Sequence, residues 1–159
     1  MEIYLLRHGI AEDARNGMRD ADRALTPEGS KKLRAVLQKA AAASVSPSLI
    51  LASPLRRARQ TAEIAANVFG YREEILTSGA LEPGSSPESV WEELRLHKDE
   101  PQVLLAGHEP LFSALMAYLL EAPTLRVDFK KGALARIDGE AANASPRGVL
   151  RWMITSKLA

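Results

Sequence analysis

Cysteine is absent from the chain. That excludes a disulfide framework, thiolate-ligated zinc, iron–sulfur clusters and a thiolate nucleophile. It also fits the expectation of a cytoplasmic protein. A surplus of one charge sign is missing too. Twenty-one Lys and Arg stand against 20 Asp and Glu, a formal net charge of +1. Binding to nucleic acid through bulk electrostatics calls for a more lopsided balance, so no nucleic-acid partner is expected. Recognition of phosphate would have to come from locally placed arginines. No run of 18 apolar residues occurs, so neither a membrane span nor a membrane partner is expected. Residues 1–7 lack a basic stretch followed by a long apolar one and do not read as a signal peptide. Histidine is scarce as well: His8, His97 and His108 are the only three. None has close ligand spacing with another on one helix, so a metal hydrolase is disfavoured and no cofactor is expected.

What is present is an ordinary balance, 46% apolar and 26% charged residues in a chain of 159. Such a chain buries roughly two-thirds of its unfolded surface and reads as one domain over residues 1–159. Residues 3–6 form a short apolar run stopped by Arg7-His8-Gly9, the pattern of a buried strand. Residues 10–25 are polar and read as a loop. Thr26-Pro27 signals a helix start, and Leu33, Val36, Leu37 and Ala40 fall on one helical face. Residues 49–52 are a second buried-strand candidate. Ser53-Pro54 repeats the cap-plus-proline signal, with Leu55, Ala58, Ala62, Ala65 and Phe69 on one stripe. Residues 74–77 allow a short strand, and residues 82–85 a turn. Ser86-Pro87 opens a third helix that turns Val90, Trp91 and Leu94 inward. Residues 102–106 predict a third buried strand, ended by Gly107-His108. A fourth helix begins at Pro110, and residues 132–138 and 149–155 read as two late strands.

Strand and helix alternate through residue 120, which predicts an α/β fold: helices on both faces of a mainly parallel sheet, with an antiparallel edge. Ligands of such sheets bind outside the carboxyl ends of the strands. Three candidate strands end there in unusual residues: Arg7-His8-Gly9, Ser53, and Gly107-His108. Together with Arg56, Arg57 or Arg59 they would line a pocket rich in planar guanidinium donors suited to phosphate oxygens. A neutral imidazole is a competent nucleophile, and neighbouring cations favour the neutral form.

Leu6-Arg7-His8-Gly9 resembles the RHG signature of the histidine phosphatase superfamily, to which phosphoglycerate mutases belong. Residues 53–62, SPLRRARQTA, resemble its second block, and Gly107-His108-Glu109-Pro110 its late G-H-x-P block. The three occur in the family's order. The short length, the stretch at residues 22–29 (DRALTPEG) and the compact Leu81-Glu82-Pro83-Gly84 resemble the phosphohistidine phosphatase group called SixA. The resemblance implies a three-layer α/β/α, phosphoglycerate mutase-like fold. It also implies a metal-independent phosphatase with His8 as nucleophile and Arg7, Arg57 and His108 around the phosphoryl oxygens. Arg57 is chosen over Arg56 because it directly precedes Ala58. Arg23 reads either as a pocket-mouth residue or as a solvated loop residue. The general acid stays open among Glu82, Glu12, Asp13 or none. The implied substrate is a phosphohistidine domain of a partner protein. A small phosphate ester is the alternative, and a non-catalytic phosphate-binding module is a third reading.

Overall fold

A computed structural model describes residues 1–159. Six strands form one sheet: β1 (Glu2–Arg7), β2 (Leu49–Ala52), β3 (Leu76–Thr77), β4 (Gln102–Gly107), β5 (Leu134–Asp138) and β6 (Val149–Ile154). Their order across the sheet is β3-β2-β4-β1-β5-β6. The strands from β3 to β1 pair in parallel, and β5 runs antiparallel to both of its neighbours. Both antiparallel pairings therefore involve β5, toward one edge of the sheet. No helix is long and apolar enough to cross a membrane.

Alternation along β1 divides the core into two layers. Ile3 and Leu5 face one cluster with Val90, Trp91 and Leu94 of α3 (Pro87–Leu96) and Leu115 and Met116 of α4 (Leu111–Leu119). Tyr4 and Leu6 face the other, with Leu33, Val36 and Leu37 of α1 (Pro27–Ala42) and Ala62 and Ala65 of α2 (Arg56–Phe69). Strands buried on both faces read as continuous apolar runs, which is why residues 3–6 and 103–106 show no polar alternation. The helices start largely where their caps are. Thr26 Oγ1 accepts from Gly29 N at 2.9 Å, and Ser86 Oγ from Ser89 N at 3.2 Å.

The second helix departs from the cap reading. It begins at Arg56 after Leu55, and no side chain caps it. Ser53 is fully buried at the end of β2, and its hydroxyl is committed elsewhere. Two glycines allow close approaches near the strand ends. A Cβ on Gly107 would lie 2.7 Å from the ring of Phe112, so only glycine lets α4 return so tightly onto β4. A Cβ on Gly29 would lie 2.3 Å from the carbonyl oxygen of Ile10, which locks the first turn of α1 against the loop after His8.

Candidate active site

The parallel register aligns the strand ends. Arg7 sits opposite Gly107, and Ala52 opposite Ala106, so His8, Ser53 and His108 emerge side by side. His8 N donates to the carbonyl of Gly107 at 2.9 Å, extending the ladder by one step. The two imidazoles lie with centroids 5.2 Å apart and planes tilted by 55°. Both are buried, His8 at 6% exposure and His108 at 1%.

Each ring is held through one nitrogen. His8 Nδ1 is 2.7 Å from the carbonyl oxygen of Gly9. A carbonyl only accepts, so Nδ1 carries the proton and Nε2 keeps its lone pair. His108 Nε2 is 2.8 Å from Ser53 Oγ, which also accepts from Leu55 N at 3.3 Å. With the Ser53 hydroxyl donating its hydrogen to Nε2, the ring proton lies on His108 Nδ1. Burial pushes His8 down to about 4, helped by the charges of Arg57 and Arg7 and opposed by its bond to Gly9. Burial likewise pushes His108 down to about 3, with His8 and Arg57 adding to it. Both rings are therefore neutral at physiological pH.

The arginines are anchored by their tips. Arg7 Nη1 donates to the carbonyl of Phe129 at 2.6 Å. Burial lowers the basicity of Arg7, against the pull of Glu109 and Asp128. Arg57, 5% exposed, donates from Nη1 to the Asp20 carbonyl at 3.0 Å and from Nη2 to Asp20 Oδ2 at 3.1 Å. Thr61 stitches the two segments together. Its hydroxyl donates to the Arg57 carbonyl at 2.7 Å and accepts from Gly9 N at 3.2 Å. Three buried side-chain nitrogens have no partner: Arg7 Nε, Arg57 Nε and His108 Nδ1. All three belong to the residues that surround His8. No group of three or more His, Asp or Glu converges as a metal centre requires.

The remaining candidates lie around this centre. Arg23 donates to Asp20 Oδ1 at 2.9 Å and to the Glu12 carbonyl at 3.2 Å, so it braces the Asp20 loop. Burial raises the Asp20 carboxyl, but Arg57 and Arg23 outweigh it and hold the group below its ordinary range. Glu12 Oε1 accepts from Ala24 N, and Asp13 is exposed. Glu82 is exposed at the end of the short 3₁₀ turn after β3 and hydrogen-bonds none of the four central side chains. Arg56 donates to the Asp22 carbonyl, and Arg59 to the Ile75 carbonyl and Thr77 Oγ1, which pins β3. Two residues of the site, Thr61 and Asp20, escape the sequence reading. Thr61 lies inside the second block with no reading of its own, whereas Ser53, read both as a strand-end residue and as a cap, is the partner of His108. Asp20 sits in a polar loop with no motif to mark it.

Comparison with known proteins adds an independent line. Residues 3–82 match the histidine phosphatase superfamily (branch 1). An uncharacterized protein of Picosynechococcus sp. is 36% identical over 111 residues, covering 69% of this chain and 67% of that protein. The protein histidine phosphatase SixA, solved with tungstate, superposes with a TM-score of 0.86 at 25% identity, covering 99% of this chain and 98% of that one. A mycobacterial glucosyl-3-phosphoglycerate phosphatase superposes at 0.68 with 20% identity, covering 94% and 96%, a likeness of fold alone.

Proposed function

This chain belongs to the histidine phosphatase superfamily, and on that footing we propose that it is a metal-independent phosphatase acting on a phosphohistidine of another protein, with His8 as the nucleophile. The observation that carries this reading is the set of three orphaned nitrogens on Arg7, Arg57 and His108. A buried donor without a partner costs about 1–3 kcal/mol. Three of them grouped around one neutral imidazole are what a trio of phosphoryl oxygens would satisfy.

His8 Nε2 attacks phosphorus with its lone pair while the P–N bond to the substrate imidazole breaks. The departing ring takes up a proton from solvent. The positive charge that develops on the His8 ring is met by the Gly9 carbonyl at Nδ1. Water then attacks phosphorus, the P–Nε2 bond breaks, a proton leaves the water, and inorganic phosphate departs. Arg7, Arg57 and His108 hold the oxygens through both steps and stabilise the charge that develops on them.

Asp20, the carboxylate in contact with Arg57, is held ionised by two arginines and has no proton to give. An imidazole leaving group asks little of a general acid, whose contribution is about 10²–10⁴-fold where it is needed. That favours a phosphoramidate. A small phosphate ester is the second reading. In that reading Glu82 would serve as the acid for an alkoxide.

The test is to mix the protein with a protein domain carrying labelled phosphohistidine and to quench in base. Loss of label from the domain and an acid-labile, base-stable phosphoenzyme are expected, both in the presence of chelator. His8→Ala should lose both, by roughly 10⁴–10⁶-fold in rate. An unchanged label, or a fully active His8→Ala variant, would sink the reading. A panel of phosphoramidates and esters compared by kcat/KM, with Glu82→Gln alongside, separates the two substrate classes.

A further inference from the structure

A second cavity of about 710 Å³ opens next to Arg7, and Lys130, Lys131, Ser156 and Lys157 are among its lining residues. Two chain segments that are distant in sequence build it. Gly132, at φ +74°, makes the turn that leads into β5, and its N–H lies 3.2 Å from the Arg7 carbonyl and 3.0 Å from that of His8. This contact ties the neighbouring Lys131 to the end of β1. Ile154 pairs with Leu134, so the residues after β6 arrive beside the same turn. A further turn, with Leu158 N donating to the Thr155 carbonyl, then carries Lys157 along the rim.

The charge of this cavity is one-sided. Four cations line it against a single carboxylate, Asp128, and that carboxylate is paired with Lys130 at 2.8 Å. Lys131 and Lys157 are exposed and take part in no ion pair. On a chain with a formal net charge of only +1, this is a local concentration, not a general background. The residue type matters as well. Arginines form the buried centre, where a fixed fork suits phosphate oxygens. Lysines form the rim, where flexible, hydrated point charges suit carboxylates that stay partly in water. We propose that this lysine-lined cavity docks an acidic segment of the phosphoprotein substrate, with Asp or Glu side chains seated on Lys131 and Lys157 while the phosphohistidine reaches His8. The proposal rests on the substrate class argued above and narrows it to phosphohistidines in acidic surroundings.

Two synthetic phosphohistidine peptides test it, one flanked by Asp and Glu, the other by Asn and Gln. At low ionic strength the acidic peptide should show a kcat/KM at least about tenfold higher. That preference should shrink as salt shortens the reach of the lysine charges. Lys131→Glu/Lys157→Glu should bring the ratio to one or below. Lys157→Glu alone should still hydrolyse the small phosphoramidate ion at the wild-type rate, which reports an intact centre. Separately, the unphosphorylated acidic peptide should move the backbone amide NMR signals of Lys131 and Lys157, a readout that needs no turnover. Equal kcat/KM for the two peptides with still lysine signals overturns the docking site and leaves the phosphohistidine reading standing. Moving lysine signals with neither peptide hydrolysed overturns the substrate class and leaves the acidic docking site. Failure of both readouts overturns both.

Discussion

The two ends of β1 meet arginines in opposite circumstances. At its start, Arg136 of the neighbouring strand reaches Glu2 at 3.0 Å and Asp138 at 2.8 Å, and Arg151 reaches Asp138 at 2.7 Å. Hydrogen bonding to Asp138 raises the basicity of Arg136. At the other end, burial lowers that of Arg7, whose one hydrogen bond from the guanidinium goes to a carbonyl, and Arg7 Nε and Arg57 Nε have no partner. The residue type is the same, and only the surroundings at the two ends of β1 differ. The difference teaches that an arginine does not mark a site by being present. It does so when the fold buries it and leaves part of its donor set unmet, because that deficit is favourable only once an anion arrives.

The largest break of this contrast should come from Arg57. Arg57→Ala should lower kcat/KM by about 10²–10³-fold, the usual effect of deleting one donor to a developing oxyanion. Stopped-flow release of phosphate measures it. Acid should separate the two ends next. An unfolded chain protonates its histidines below about 6.5, whereas folded His8 and His108 stay neutral down to about 4 and 3. Stability is therefore level above pH 6.5 and falls as pH drops from there toward 3. The gap for His8 corresponds to roughly 3 kcal/mol. Urea titrations at stepwise pH should show this fall, and His8→Asn should blunt it. The paired end has a different window. Burial raises Asp138, but Arg136 and Arg151 outweigh it and depress the group. Its contribution is thus complete above the ordinary carboxylate value and is lost only as pH falls below that. A smaller effect should follow from Ser53→Ala, which frees the His108 ring. Removing this hydrogen bond should lower kcat about tenfold and, by leaving the buried His108 Nε2 without a partner, destabilise the fold by about 1–3 kcal/mol. The smallest should be Arg136→Met, expected to leave kcat/KM unchanged and to destabilise by less than about 1 kcal/mol in urea. Equal catalytic losses in Arg57→Ala and Arg136→Met would erase the contrast.

Much of the centre was legible because strand ends announce themselves. The apolar runs at residues 3–6 and 103–106 stop at histidines, and the period of a parallel sheet brings those stops to one edge. The α/β layering followed from the same alternation, and β5 and β6 from the late apolar runs at residues 132–138 and 149–155. Ser53 misled for a physical reason. A serine before a proline is an effective cap in isolation, but burial against His108 gave its hydroxyl a stronger use, and the helix began three residues later without a cap. Asp20 was beyond reach of any local rule, since its bonds to Arg57 span 37 positions. Thr61 was readable as part of a block but not as the bridge between Gly9 and Arg57. Glu82 is exposed, and spacing along the sequence carries no measure of its reach.

The position of β1 in the middle of the sheet has a bearing on synthesis. Ile3 pairs with Val103 on one side and Ile137 on the other. A nascent chain therefore holds its first apolar strand without lateral partners while more than half of the polypeptide is still being made. Long-range pairing of this kind is slow and leaves sticky surface uncovered in the interim. It also means that no early fragment can assemble the reactive centre. The site comes together only once β4, which leads into His108, has paired with β1.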